Sequence, residues 1–286
     1  CVLRARADLQ RGCDIVRAIQ WPAVRAVVLK DVTAIRRSKA VVIPMLLVPT
    51  LLMVVLPLTI GYAARSRPSN LGAEAFLDSL PRRLAEPIEA LPPEAQLLTL
   101  VLGFLLAPLF MIVPLMVSAV IAADAFAGEK ERRTMETLLH LPISERDLFI
   151  AKLLTGMLPA IAVSWGGFLA FCVVANAVSW GRVEGLLVPN QLWLVMIFWV
   201  APAVALLGLG VMVRVSARAR TSQEANQLGG AVILPLIFLA VGQSTGVLLV
   251  SLRLALAIGA AIWLTAATLV WRGASRFSRD RIAAST

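Results

Sequence analysis

The sequence predicts an all-α polytopic membrane protein with six transmembrane helices, and three observations carry the prediction. Hydrophobic residues make up 59% of the 286 residues and charged residues only 15%, whereas soluble domains are about 45–50% apolar and about 25% charged. Six runs without Asp, Glu, Lys or Arg are long enough to cross a bilayer, which takes about 20 apolar residues. Basic residues are also divided very unevenly between the segments that join these runs.

Each predicted span lies in one charge-free run. The fifth run is interrupted by Gly-Gln-Ser-Thr-Gly at 242–246. Irregular backbone at membrane depth must be shielded by protein or line a cavity, so we expect this span to break near its outer end. The six predicted spans cover residues 40–64, 96–123, 153–180, 190–213, 229–246 and 254–271.

The distribution of Lys and Arg predicts the orientation. With the N-terminus inside, 21 basic residues face the cytoplasm and 6 face outward, in line with the positive-inside rule. The sequence therefore predicts a multi-pass protein of the cell membrane with cytoplasmic tails at 1–21 and 272–286. The basic face suits anionic lipid headgroups, and no compact basic domain is present that would bind nucleic acid.

The positions of four tryptophans support the predicted span boundaries. Trp21 and Trp271 fall at the predicted inner boundary, and Trp180 and Trp193 fall at the outer one. Indoles concentrate at both membrane interfaces, so these four are expected in the interfacial belt.

Residues 22–38 are predicted to form an amphipathic helix on the inner membrane surface. Pro22 suits a first helical position, and basic residues lie mostly away from the apolar stripe. The alternative is a plain cytoplasmic extension of the first span. The apolar residues recur at near-helical spacing at Val24, Val27, Val28, Val32 and Ile35.

The inner loop between the second and third spans carries the most information. Residues 129–140 predict a helix, because Glu129 and Arg133 form an i,i+4 pair and Leu138 and Leu139 contribute to an apolar face. Such a face either docks on a partner or packs on its own bundle. Pro142 then ends this helix.

A second helix is predicted to begin directly afterwards. Ser144 and Asp147 have the spacing of a capping box. The helix that they start should run into the third span.

The chain resembles ABC type-2 permeases on several stretches of sequence, the longest of which lies in this loop. They are Phe-Ala-Gly-Glu-Lys-Glu-Arg-Arg-Thr at 126–134, Glu-x-Leu-Leu at 136–139, Leu-Pro-Ile-Ser at 141–144, Lys152, the run 216–227 before Leu-Pro-Leu at 234–236, and Phe-x-Arg-Asp at 277–280. The similarity covers roughly residues 22–282. Within the family, the sequence is similar to the sodium-exporter-like permeases, a group that also includes drug and peptide exporters.

The resemblance implies a function for each matching part. Residues 22–271 would be the transmembrane domain of an exporter permease, residues 22–38 its elbow helix, and the inner loop a coupling helix inserted into a separate ATPase subunit. That subunit would bind ATP and Mg²⁺, so this chain needs no cofactor, and a second permease copy or a paralogue would complete the pair. The residues implied in ATPase coupling are Glu129, Lys130, Arg132, Arg133, Thr134, Glu136, Leu138 and Leu139.

The absence of two ATPase motifs from the sequence agrees with ATP hydrolysis by a separate subunit. No G-x-x-x-x-G-K-[ST] phosphate loop and no LSGGQ-like signature occur in the sequence, so the chain is not predicted to be an ATPase. A single histidine and three scattered cysteines predict no metal site.

The spans contain almost no ionisable residues, which counts against proton-coupled carriers and cation channels. An amphiphilic substrate suits such spans better. The candidate pathway residues are Asn176, Gln243 and Ser244, together with Ser118, Thr155 and Ser164. For Asn176 and Gln243 the alternative is an interhelical hydrogen bond.

Three other functions stay open at this point. They are sodium export, a membrane-embedded enzyme, and a non-transporting assembly protein of the same fold. The enzyme would need clustered His, Asp, Glu or Ser at membrane depth, and the sequence lacks such a cluster. The identity of the substrate does not follow from the sequence.

Overall fold

The computed structural model describes residues 19–66, 88–128, 143–183, 185–216, 223–224, 227 and 252–274. In these ranges the secondary structure is helical, without a strand, and we number its six main helices in chain order. Helix α1 is Trp21–Arg37, α4 is Glu145–Ser179 and α6 is Leu252–Ala274. The other three contain π-helical turns.

Each of these three helices is built from consecutive pieces. Helix α2 comprises Lys39–Thr50, the π segment Leu51–Val55 and Leu56–Ser66. Helix α3 comprises Pro93–Leu100, the π segment Val101–Leu105, Leu106–Leu109, Ile112–Ala123 and the π segment Asp124–Gly128. Helix α5 comprises Gln191–Val195, the π segment Met196–Val200 and Ala201–Ser216.

Prolines account for three of the π segments. A proline ring lacks the N–H and displaces the carbonyl of the residue four positions earlier. Positions 53, 104 and 198 are each inside a π segment. They lie four residues before Pro57, Pro108 and Pro202. The backbone thus widens where the ring would otherwise clash. Pro159, in the middle of α4, is accommodated without such a segment.

Helices α2 to α6 are each long and apolar enough to cross a membrane. They correspond to the first, second, third, fourth and sixth predicted spans, and the fifth predicted span, 229–246, lies outside the described residues. The protein is therefore an all-α polytopic membrane protein. Helix α4 begins well before the predicted span 153–180, because the capped start at Ser144 lies beyond the apolar run.

The two ends of the helix bundle bring different elements together. At one end, called the α1 end, α1 packs against the beginning of α4. Helices α3, α5 and α6 also have their C-terminal ends there. At the other end, called the loop end, residues 180–190 join α4 to α5. Helix α5 packs against α3 and α6, and α4 packs against α3 and α2.

The largest buried cluster lies toward the loop end and is centred on Trp193, whose indole is fully buried. Its ring centroid lies 5.7 Å from that of Phe110, 5.5 Å from Phe168 and 4.6 Å from Phe171. The indole N–H donates to the carbonyl of Leu102 at 3.2 Å. Because this π-segment carbonyl supplies the polar partner, the ring needs no interface.

The expectation that Trp193 lies in an interfacial belt is therefore wrong. The other three tryptophans assigned to the belt are exposed, with exposed fractions of 60% for Trp21, 83% for Trp180 and 74% for Trp271.

Candidate functional site

The start of α4 directly follows the segment in which the sequence predicts ATPase coupling. The Ser144 hydroxyl accepts a hydrogen bond from the backbone N–H of Asp147 at 3.1 Å, which confirms the predicted cap. Glu145 and Asp147 lie in the first turn, where carboxylates are stabilised by the positive end of the helix dipole. The first turn of α4 is thus well fixed.

Helix α1 packs on this capped start. Val24 and Val27 of α1 are buried together with Leu148 and Ala151 of α4. The backbone N–H of Gln20, just before α1, donates to the Asp147 carboxylate (Oδ2) at 3.3 Å. An apolar contact and a polar one therefore join the two helices.

A buried ion pair lies further along the same contact. The Lys152 ammonium (Nζ) lies 3.0 Å from Oδ2 of Asp31, and their side chains are 3% and 9% exposed. The other oxygen of Asp31 lies 3.0 Å from the ammonium of Lys30, whose side chain is 56% exposed. Both carboxylate oxygens thus meet a cation, as a buried charge requires.

Asp31 belongs to the buried stripe of α1, which the sequence pattern assigned to apolar residues alone. The buried positions are Val24, Val27, Asp31 and Ile35, spaced by three or four residues as one helix face demands. A carboxylate on an apolar stripe was the signal that could have singled out Asp31. Lys152 was singled out only as part of a motif.

Comparison with known proteins identifies the chain. The family model described as "ABC-2 family transporter protein" matches residues 25–269. The chain belongs to the ABC-2 transporter family. No curated relative matches it. This ABC-2 permease is thus a multi-pass membrane component of a transport system, and not its catalytic ATPase.

The eight residues implied in ATPase coupling, Glu129, Lys130, Arg132, Arg133, Thr134, Glu136, Leu138 and Leu139, lie outside the described residues. The structure describes the two flanks of the segment that holds them. On one side, the last turns of α3 pack on α5 through Phe126 and Met212. On the other side lies the capped start of α4 with α1 against it. Residues 129–142 therefore connect two well-packed helices in the sequence.

Asn176, a candidate pathway residue, lies near the last turn of α4, and its side-chain amide bonds to the backbone. The amide nitrogen donates to the carbonyls of Cys172 and Val188. The amide oxygen accepts from the N–H groups of Leu187 at 2.9 Å and Val188 at 3.3 Å. These contacts fasten the loop to α4 and favour a structural role. Gln243 and Ser244 lie outside the described residues.

The hydroxyl groups that were expected to line the pathway form hydrogen bonds within their own helices. Ser118 donates to the carbonyl of Leu115, Thr155 to that of Ala151 and Ser164 to that of Ala160. All three side chains are at most 1% exposed. They fill the interior of the bundle, so they do not present a polar surface to a substrate in this arrangement.

Helices α4 and α6 each donate a hydrogen bond to α5 through a tryptophan. The indole N–H of Trp165 in α4 donates to the carbonyl of Ile197 at 3.4 Å, and that of Trp263 in α6 donates to the carbonyl of Trp199 at 3.1 Å. Both carbonyls belong to the π segment of α5. Both indoles therefore supply donors to an irregular stretch of backbone.

Proposed function

We propose that this ABC-2 permease is the transmembrane subunit of an exporter that uses ATP hydrolysed by a separate subunit. The docking of α1 on the first turns of α4 carries the proposal, because it braces one flank of segment 129–142. A segment that receives force from an ATPase needs such a fixed base. The ATPase subunit would bind ATP and Mg²⁺, and the permease would act as a pair with a second copy or a paralogue.

The proposal places the α1 end in the cytoplasm. In support, Arg25, Lys30, Arg36 and Arg37 are exposed on α1, and the Lys and Arg bias of 21 to 6 favours the same side. In a variant with Cys1, Cys13 and Cys172 replaced by serine, Leu186→Cys should react with an impermeant maleimide on intact cells. Arg25→Cys should react only after permeabilisation. Reaction of position 25 on intact cells would refute this orientation.

In the proposed mechanism, closure of the ATPase dimer pushes on 129–140. Glu129, Arg132, Arg133, Thr134 and Glu136 make the polar contacts, and Leu138 with Leu139 forms the apolar anchor. The push moves the start of α4 and tilts the spans, which opens the pathway outward. An aqueous ATPase and an apolar transport path are thereby joined by one short segment.

Co-purification of the permease with a candidate ABC ATPase subunit expressed together with it tests this function. Leu138→Asp should lower the amount of bound ATPase about tenfold, because the new carboxylate is buried without a partner. Leu186→Asp, at an exposed position of the loop end, is the matched control and should leave binding unchanged. Normal binding by Leu138→Asp would refute the apolar anchor, and an ATPase that never binds the unaltered permease would refute the function.

A second variant separates binding from coupling. Glu129→Ala combined with Arg133→Ala should insert and bind ATPase normally but lose most of the stimulation of ATP hydrolysis. Equal stimulation by the variant and the unaltered permease would remove these two residues from the coupling contact.

A further inference from the structure

The contact between α1 and α4 contains an ion pair where apolar residues would suffice. Asp31 and Lys152 are 121 residues apart in the sequence, and their contact is continuous with the apolar one formed by Val24, Val27 and Leu148. Removing two charges from water is costly, and well-packed apolar residues often stabilise such a contact equally well or better. Stability alone therefore gives no reason for a buried ion pair here.

The pair supplies something that apolar packing does not. Hydrophobic attraction is non-directional, so Val24 and Val27 alone would tolerate a sliding of α1 along α4. A shift by one helical turn, about 5.4 Å, would separate Asp31 from Lys152. The contact between these two buried charges would then be lost, while Asp31 would keep Lys30 of its own helix, and breaking a buried pair is costly. The ion pair thus selects one register of α1 on α4.

A second polar contact fixes the same register nearer the start of α4. The Asp147 carboxylate accepts from the Gln20 N–H, and Asp147 itself is held by the Ser144 cap. From position 147 to position 152, α4 advances by about 7.5 Å. Two polar contacts at separate heights oppose both sliding and rotation of α1.

Helix α4 continues from this junction to the loop end. Its 35 residues form one uninterrupted α-helix, about 50 Å long, and Asn176 fastens its far end to residues 187 and 188. A displacement at the start of α4 is therefore carried to the opposite end of the bundle.

We propose that Asp31 and Lys152 are positioning residues for transport, which lock α1 and α4 in one register so that movement of segment 129–142 reaches the loop end. This inference rests on the proposed function. In this role they would make no contact with substrate or nucleotide. They act through α4.

The register is tested first, without nucleotide. Spin labels at Arg25→Cys on α1 and Leu158→Cys on α4, in the full complex with Cys1, Cys13 and Cys172 replaced by serine, should give one narrow distance distribution. Asp31→Leu combined with Lys152→Met should keep the complex assembled but broaden this distribution. Arg36→Met, at an exposed position of α1, is the control and should change nothing, because an exposed charge contributes little. An unchanged distribution in the double variant would refute the register lock.

Transmission is tested next, with Leu186→Cys at the loop end. Trapping the complex with ATP and vanadate should change its rate of modification by a maleimide. In the double variant this nucleotide-dependent change should fall about tenfold, within the range in which mutations modulate coupling between sites. A full response would make the pair merely structural and overturn the proposal.

The remaining variants separate structure from positioning. Asp31→Asn or Lys152→Met alone leaves one buried charge and should lower the thermal midpoint, whereas Asp31→Lys with Lys152→Asp should recover part of the nucleotide response. No recovery, with a midpoint equal to that of the unaltered complex, would contradict the role of the charges. If the unaltered complex shows no nucleotide response, the proposed function fails, while the label distances still decide the register.

Discussion

The side chain of Asn176 connects α4 to residues 187 and 188 of the following loop by hydrogen bonds. Its amide supplies hydrogen-bond partners to the backbone groups of Leu187 and Val188. Nearby, Arg182 joins the same loop to α3 through an ion pair with Glu94 at 3.0 Å. The loop is therefore held by contacts to both α4 and α3.

Asn176→Ala should destabilise the permease by about 1–3 kcal/mol, because it leaves backbone groups of the loop without partners. Thr265→Ala is the control, since its exposed hydroxyl bonds only to carbonyls of its own helix, and it should leave the thermal midpoint unchanged. The midpoint of the purified protein measures both effects. An unaltered midpoint in Asn176→Ala, with a changed substrate concentration for half-maximal ATPase stimulation, would return Asn176 to the pathway.

At the scale of helices, composition predicted most of the architecture. A span is a property of about 20 neighbouring residues, so the charge-free runs located α2 to α6 without knowledge of their partners. The π segments were not predicted, although Pro57, Pro108 and Pro202 were visible in the runs. The positions four residues earlier, where the prolyl ring displaces a carbonyl, mark three of these segments.

Pairing between helices was the part that the sequence could not supply. The spacing of Val24, Val27 and Ile35 predicted a helix with one buried face, but periodicity does not say what covers that face. The partner of Asp31 is Lys152, which lies in another helix. The predicted interfacial position of Trp193 was wrong for a related reason, since an indole suits a membrane interface and a buried carbonyl equally well.

Irregular backbone and indole donors together shape the interior of the spans. In lipid, carbonyls freed by a π turn must find donors in neighbouring helices. Trp193 and Asn190 donate to α3 at Leu102 and Gly103, and Trp165 and Trp263 donate to α5. These bonds link α3, α4, α5 and α6 at membrane depth.

At the scale of the molecule, charge is confined to the ends of the spans that the structure describes. In α2 to α6 every charged residue lies in the first or last eight positions of its helix, and the innermost one, Lys152, is paired with Asp31. The described interior therefore consists mainly of apolar side chains, and the hydroxyls of Ser118, Thr155 and Ser164 within it bond to the backbone. That division suits a substrate with a large apolar part.

The nature of the substrate gives the last prediction. A bare cation needs several oxygen ligands to replace its water, whereas the hydroxyls of Ser118, Thr155 and Ser164 are buried in the bundle. An amphiphile needs an apolar surface for its tail and a few weak donors for its head. In proteoliposomes, amphiphilic drugs, peptides or lipids should raise the ATPase rate of the complex severalfold, and replacing potassium by sodium should not. Sodium-dependent hydrolysis that Gln243→Ala abolishes and amphiphiles leave unchanged would instead assign the permease to sodium export.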